Sequence, residues 1–209
     1  MKNSNTEPTM TNFNRTPLTQ TLIRPIILAS QSPRRSQILK DAGFTNFIVK
    51  PTDTDESIPE GFPAEKVAAF LAEKKAKAAI QWITNDEIIL AADTIVILDK
   101  TIFGKPTDHQ DAFNIIRALS GKMHKVVTGV CLMTKSKKKT FSDTAKVYFD
   151  ELSDEEINFY INTYKPFDKA GAYAIQEWIG LCKIKKIVGA NATIMGLPIQ
   201  KVYSELTRF

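Results

Sequence analysis

The stretch Ile88–Leu98 is aliphatic at every position but two, and those two, Asp93 and Thr94, stand in its middle. Eleven residues of this kind read as a strand. A carboxylate among aliphatic neighbours is costly to bury unless it is paired, hydrogen-bonded or faces a cation. Two readings follow. Asp93 accepts backbone hydrogen bonds at a strand end, or it is a functional carboxylate kept in a site.

Around this stretch, strand and helix signals alternate. Pro25–Ala29 reads as a buried strand, followed by a Ser30-Gln31 turn. Ser32 fits an N-cap and Pro33 the first helical position of a helix that runs to Leu39 and stops at Gly43. Phe47–Val49 reads as a second strand. Acids and prolines over 51–63 predict a loop, and Ala64–Trp82 a helix with Val67, Leu71, Ala78 and Trp82 on one face. Thr101–Phe103 looks like a hairpin return, and Asp108 caps a helix to Leu119. Lys125–Thr134 and Thr140–Phe149 read as a hairpin, and Ser153 with Glu156 forms a capping box. A strand between loops leads to Gly196, and Pro198 opens a last helix to Leu206. Interspersed hairpins favour a mixed α/β sheet over a purely parallel one.

The chain has 209 residues, a formal net charge of +5 and 43% hydrophobic residues. That suits one soluble domain with a real core and excludes collagen, coiled coil and wholesale disorder. No run of about 18 apolar residues exists, so no transmembrane helix is expected. Residues 1–23 are polar and lack the apolar core of a secretion signal; they read as a flexible N-terminal extension before a single domain over 24–209. Two cysteines, Cys131 and Cys182, are too few for a disulfide framework or a cysteine zinc site, and a cytoplasmic location is expected. The basic cluster Lys135, Lys137, Lys138 and Lys139 reads as a solvated hairpin tip. Nucleic-acid binding calls for a longer basic stripe.

Several segments carry chemistry. Ser30-Gln31-Ser32-Pro33-Arg34-Arg35 places a strand end, a serine turn and a helix N-terminus in succession, where free N–H groups and two guanidinium groups favour an anion. Asp53, Asp55 and Glu56 form an acidic loop that is either solvated or able to offer oxygen to a hard cation. Lys75 lies within the apolar face of its helix and Lys74 borders it, so spacing does not choose between them. Lys105 sits in the turn Gly104-Lys105-Pro106. In Asp168–Gln176 small residues flank a charge pair, and a strand-like run ends in an amide able to donate and accept at a base edge. The Gly-x-x-x-x-Gly-Lys-Ser/Thr and Gly-x-Gly-x-x-Gly signatures are absent.

Together these segments resemble the Maf family of nucleoside triphosphate pyrophosphatases. The resemblance rests on Leu28–Arg35, Asp55-Glu56-Ser57, Leu71–Ala76, Ala92–Val96, Gly104-Lys105-Pro106, Ser120–Val130, Asp168–Gln176 and Gly196-Leu197-Pro198, in family order from about residue 25 to 206. It implies an inosine-triphosphatase-like fold: an elongated mixed sheet with two α/β lobes and a central cleft. It implies hydrolysis of a nucleoside triphosphate to monophosphate and pyrophosphate with a divalent cation, Mg²⁺ or Mn²⁺, and a homodimer. The form ending in Ile175-Gln176 resembles the branch acting on dTTP and UTP. One stretch departs: Gly189-Ala190-Asn191-Ala192-Thr193 stands where the family carries an aromatic-containing Gly-Ser-Tyr-x-Asn pattern.

By that resemblance Asp93 is the catalytic proton acceptor, and Arg34, Thr94 and Gln176 match the positions that govern substrate choice. The expected reaction is water attack at the α-phosphorus, with Asp93 and Glu56 as metal ligands. Ser32, Arg35, Lys75 and Lys105 are expected to bind phosphate, and Thr94 with Gln176 to read the pyrimidine edge. Two other classes predict different behaviour. A regulator of cell division or nucleic-acid-binding protein would bind without hydrolysing, and a phosphatase with an Asp53 nucleophile would release orthophosphate.

Overall fold

The computed structural model describes residues 17–209. Its frame is one seven-stranded sheet: β1 (Ile26–Ala29), β2 (Phe47–Val49), β3 (Ile88–Leu98), β4 (Thr101–Phe103), β5 (Met123–Met133), β6 (Lys138–Phe149) and β7 (Ile184–Val188). The spatial order is β2-β1-β3-β5-β6-β7, with β4 also on β3. β1 runs parallel to β2 and β3; the remaining pairings are antiparallel. This is the mixed α/β sheet that interspersed hairpins require, since an antiparallel return needs only a tight turn whereas each parallel step needs a crossover.

The helices are α1 (Pro17–Leu22), α2 (Pro33–Asp41), α3 (Ala64–Ala79), α4 (His109–Leu119), α5 (Asp154–Tyr164), α6 (Trp178–Lys183), α7 (Asn191–Ile194) and α8 (Ile199–Leu206). Of the three N-caps read from sequence, those at Asp108 and Ser153 are made by their side chains and that at Ser32 is not. Asp108 accepts from the Asp111 N–H, and Ser153 and Glu156 close a reciprocal capping box. Residues 17–22, read with the extension, form α1, and Leu22 packs against the core beside Phe44 and Leu206. Residues 1–16 of that extension lie outside the described residues.

Three local expectations need correcting. The helix over Ala64–Trp82 ends at Ala79 and tightens into a 3₁₀ turn over Ile80–Trp82. The run after Asp168 is not a strand. Gly171 (φ +71°) and Ala172 (φ +58°) are left-handed, which breaks an extended chain, and Gly171 is needed because a Cβ there would lie 2.6 Å from a Val96 methyl. The loops around β7 hold α6 and α7, which are too short for their periodicity to show.

β3 is buried along its length because helices cover both faces, which explains its unbroken aliphatic character. Its odd residues face α3: Ile89 and Ala91 pack with Ala72 and Ala76, while Ile95 and Ile97 pack with Val67, Ala68 and Leu71. Its even residues face the other way: Ile88, Leu90 and Ala92 join Ile38 and Val202, while Val96 and Leu98 join Ile116 and Ile157. On both faces the apolar clusters divide in the middle, and Asp93 and Thr94 occupy the division. One edge of β3 divides there too. β1 pairs with it up to Ala91 and β4 from Val96, so Ala92–Ile95 have no strand beside them on that edge.

Candidate active site

A cleft of about 900 Å³ opens at this gap, within the range of small-molecule sites. The nine residues to which the family resemblance gave a role line it: Ser32, Arg34, Arg35, Glu56, Lys75, Asp93, Thr94, Lys105 and Gln176; the candidates Asp55 and Lys74 do not. Asp93 and Thr94 are adjacent and point to opposite faces. Both reach the cleft because the sheet is open at their edge.

Asp93 is 7% exposed. Its partner is Lys75, whose Nζ lies 2.5 Å from Asp93 Oδ1 and 2.8 Å from Glu56 Oε1. The choice left open between the two lysines is thereby made: Lys74 turns outward to Asp55 at 3.3 Å. Helix α3 comes close enough for Lys75 to reach in because Asp93's cross-strand neighbour is Gly129. A Cβ on Gly129 would lie 2.2 Å from the Ala68 and Ala69 backbone. Burial pulls the Glu56 pKa upward, but the Lys75 bond and the Lys75, Lys105 and Arg35 charges leave it net lowered. Two carboxylates that converge on one positive centre are the hard-oxygen donors Mg²⁺ or Mn²⁺ takes. Among the described residues no cluster of three or more His, Cys, Asp or Glu side chains surrounds a common point. Any further donors would come from phosphate or water.

The opposite wall is the β1–α2 turn. Ser32 holds the N-cap position but its side chain caps nothing; its N–H donates to Ser30 Oγ at 3.2 Å. The first turn of α2 therefore offers unsatisfied N–H groups at the cleft, with no acid among them. Arg34 donates across the cleft to Asp168 Oδ2 at 2.9 Å. Arg35 is more committed than its sequence position suggested. It donates to Gly196 O at 2.7 Å, Ser30 Oγ at 2.9 Å and Thr94 Oγ1 at 3.1 Å, leaving two of its five N–H groups. Its burial lowers its pKa, opposed first by Asp93.

The far wall is the segment 168–177. Lys169, 7% exposed, donates to Asp168 Oδ1 at 2.6 Å and lies 3.4 Å from Glu177 Oε1. Tyr160 O–H donates to Glu177 and accepts from the Ala174 N–H at 3.1 Å. These contacts fix the chain on either side of Gln176, whose exposed amide makes no hydrogen bond among the described residues. Lys105 is exposed at the rim, in the loop that Gly171 N–H ties down through Gly104 O at 2.9 Å.

Sequence reasoning placed Ser30 and Lys169 in candidate segments without giving either a role of its own, and gave Thr128 none. Lys169 carried a usable signal, a charge among small residues. Thr128 did not, because its importance comes from lying opposite Thr94 in the β3–β5 register.

Fold and cleft together define an α/β protein built to hold an anionic small molecule against a buried carboxylate. The chain belongs to the Maf-like protein family, whose model matches residues 25–209. It is 45% identical over 183 residues to the dTTP/UTP pyrophosphatase of Phocaeicola vulgatus, covering 88% of this chain and 95% of that protein. The dTTP/UTP pyrophosphatases of Parabacteroides distasonis and Bacteroides thetaiotaomicron are 43% and 44% identical, each over 88% of this chain and 95% of the relative. Among solved structures, the Staphylococcus aureus Ham1 protein is matched at a TM-score of 0.42 with 14% identity, over 60% of this chain and 72% of that one.

Proposed function

We propose that this protein hydrolyses dTTP and UTP to the nucleoside monophosphate and pyrophosphate. The observation that carries the reading is the Asp93–Lys75–Glu56 centre facing the uncapped start of α2 across one cleft. Support comes from relatives bearing the name dTTP/UTP pyrophosphatase at 43–45% identity.

In this reading the triphosphate lies between the first turn of α2, with Ser32 and Arg34, and the cations Lys75 and Lys105. Arg35 offers its two remaining N–H groups from behind. Substrate phosphate competes with Asp168 for the Arg34 guanidinium, which suits a bidentate anion better than one carboxylate oxygen. Asp93 accepts a proton from water as the water oxygen bonds the α-phosphorus. The bond from that phosphorus to the oxygen bridging the β-phosphorus breaks, and pyrophosphate departs. Lys75 holds the Asp93 carboxylate in place through their ion pair. Asp93 and Glu56 would also hold Mg²⁺ or Mn²⁺. When bound, such a cation supplies charge neutralisation at the phosphate oxygens and a more acidic water. Gln176 reads the pyrimidine O4 and Thr94 the N3–H, a pattern that cytosine reverses.

Further parts of the reading are a homodimer, a cytoplasmic location and a single catalytic domain over 24–209. Exposed Phe159 on α5 and Leu181 on α6, with half-buried Trp178 against the Phe159 ring, support the homodimer. No helix among the described residues is long and apolar enough to cross a membrane. Three lysines of the β5–β6 tip are already engaged: Lys138 with Glu73 at 2.7 Å, Lys139 with Glu205 at 3.6 Å, and Lys137 with the Phe209 carbonyl at 2.8 Å. That speaks against a nucleic-acid surface there. Assaying dTTP, UTP, CTP and GTP for pyrophosphate and orthophosphate, with and without EDTA, tests the proposal. Pyrophosphate from dTTP and UTP that EDTA abolishes is expected. Orthophosphate as first product would indicate the phosphatase, and metal-independent DNA retention without hydrolysis would indicate the binding protein.

A further inference from the structure

A hydroxyl has one hydrogen, so a chain of hydroxyls that ends at a carbonyl has a direction. Thr128, fully buried on β5, donates to the Thr193 carbonyl at 2.7 Å. A carbonyl oxygen cannot donate, and two oxygens at that separation repel unless a hydrogen lies between them. The single Thr128 hydrogen is therefore committed to Thr193. Thr128 Oγ1 also lies 2.9 Å from Thr94 Oγ1, where either atom could in isolation be the donor. With its hydrogen already used, Thr128 can only accept, so Thr94 donates to it. On its other side Thr94 accepts from Arg35 at 3.1 Å. The Thr94 hydroxyl then has one lone pair left and no hydrogen, and that lone pair belongs to a half-buried side chain lining the cleft.

We infer that Thr128 is a specificity-determining positioning residue: by fixing the direction of the Thr94 hydroxyl it turns Thr94 into an acceptor, so that the site selects a pyrimidine with a donor, the imide N3–H, and rejects one with a bare ring nitrogen. The inference rests on the proposed pyrimidine triphosphate chemistry and adds to it a residue that touches no substrate. The anchor lies in the segment that departs from the family pattern. Thr193 sits in α7, its own hydroxyl donates to Asp143, and Asp143 is held by Lys201 Nζ at 2.5 Å. The carbonyl that orients Thr128 is thus fixed without an aromatic residue in this loop.

Thr128→Val keeps the shape and removes the acceptor that holds the Thr94 hydrogen. That hydrogen becomes free to point into the cleft and to meet the cytosine N3. The ratio of kcat/KM for CTP to that for UTP is expected to rise about tenfold, the size of one net hydrogen bond. Thr128→Ser, which keeps the hydroxyl, is expected to retain the wild-type ratio. If the valine variant does not fold, Thr128→Cys, a poorer donor and acceptor, is expected to shift the ratio in the same direction by a smaller factor. A folded valine or cysteine variant with the wild-type ratio overturns the inference, as does a serine variant that shifts as far as valine. A loss of rate equal for both nucleotides also overturns it. If the wild type releases no pyrophosphate from UTP, the function reading fails instead. The same ratio is then read from binding of UMP and CMP by calorimetry, with the same expected direction.

Discussion

Lys75 Nζ and Asp93 Oδ1 lie 2.5 Å apart at the point where the β3 edge loses its neighbouring strand. The pair is unequal. Lys75 has a second carboxylate, Glu56, whereas Asp93 has no other ion-pair partner among the described residues. Substituting the two residues should therefore have different consequences.

Asp93→Asn leaves Lys75 its bond to Glu56, so the fold should persist while turnover falls by about 10³, as expected for loss of a positioned proton acceptor. Lys75→Met strands a buried carboxylate and should cost about 3 kcal/mol of stability. Urea titration and a pyrophosphate assay on both proteins check this. Near-normal turnover in the asparagine variant would remove Asp93 from the mechanism.

Gln176 has an exposed amide at the cleft wall, between segments that Glu177 and Asp168 hold in place. Gln176→Ala should leave stability within about 0.5 kcal/mol, as for a surface substitution. It should relax the choice among dTTP, UTP and CTP more than it lowers the rate. An unchanged preference with a large uniform loss of rate would instead place Gln176 in the chemistry.

His124 is buried against Phe149 and hydrogen-bonds the Tyr173 hydroxyl at 2.7 Å. Burial holds its pKa at about 4, below the usual 6.5. As pH falls below 6.5 the unfolded chain takes up the proton and the folded chain does not, so stability is intact above 6.5 and is lost progressively down to about 4. The full loss from this group is about 3 kcal/mol. Carboxylates with lowered pKa, such as Glu56 and Asp168, act in the same direction. The contribution of His124 is therefore the difference between wild type and His124→Gln in urea midpoint across that range. Parallel pH profiles for the two proteins would contradict the neutral buried imidazole.

Gly129 carries a steric prediction. Gly129→Ala places a methyl 2.2 Å from the α3 backbone, and relief requires α3 to move off the sheet. A cost of about 1–3 kcal/mol is expected, with a fall in turnover as Lys75 withdraws from Asp93. Thermal unfolding and the pyrophosphate assay check both. Full activity at lowered stability would show that the Lys75 contact tolerates the shift.

Much of the fold was legible because its signals are local. The apolar run over Ile88–Leu98, the cap at Asp108 and the capping box at Ser153 each depend on residues within a turn or a strand of one another. Helices α6 and α7 were not legible, being six and four residues long and too short for periodicity to register. The strand expected after Asp168 failed because the left-handed φ of Ala172 is imposed by packing against β3 and not by its own preference.

The sequence by itself determined that a carboxylate and a threonine would stand inside an aliphatic strand, and that a serine, a proline and two arginines would open a helix after another strand. Tertiary structure alone decided what those groups meet. Which of Lys74 and Lys75 turns inward depends on how α3 lies over Gly129, and the commitment of Arg35 to Gly196 and Thr94 joins residues up to 161 positions apart. The direction of the Thr94 hydroxyl depends on a register between two strands and a carbonyl on a third element. Local preference fixes which groups the chain carries and in which elements. The distances that give those groups their chemistry are set by packing between elements far apart along the chain.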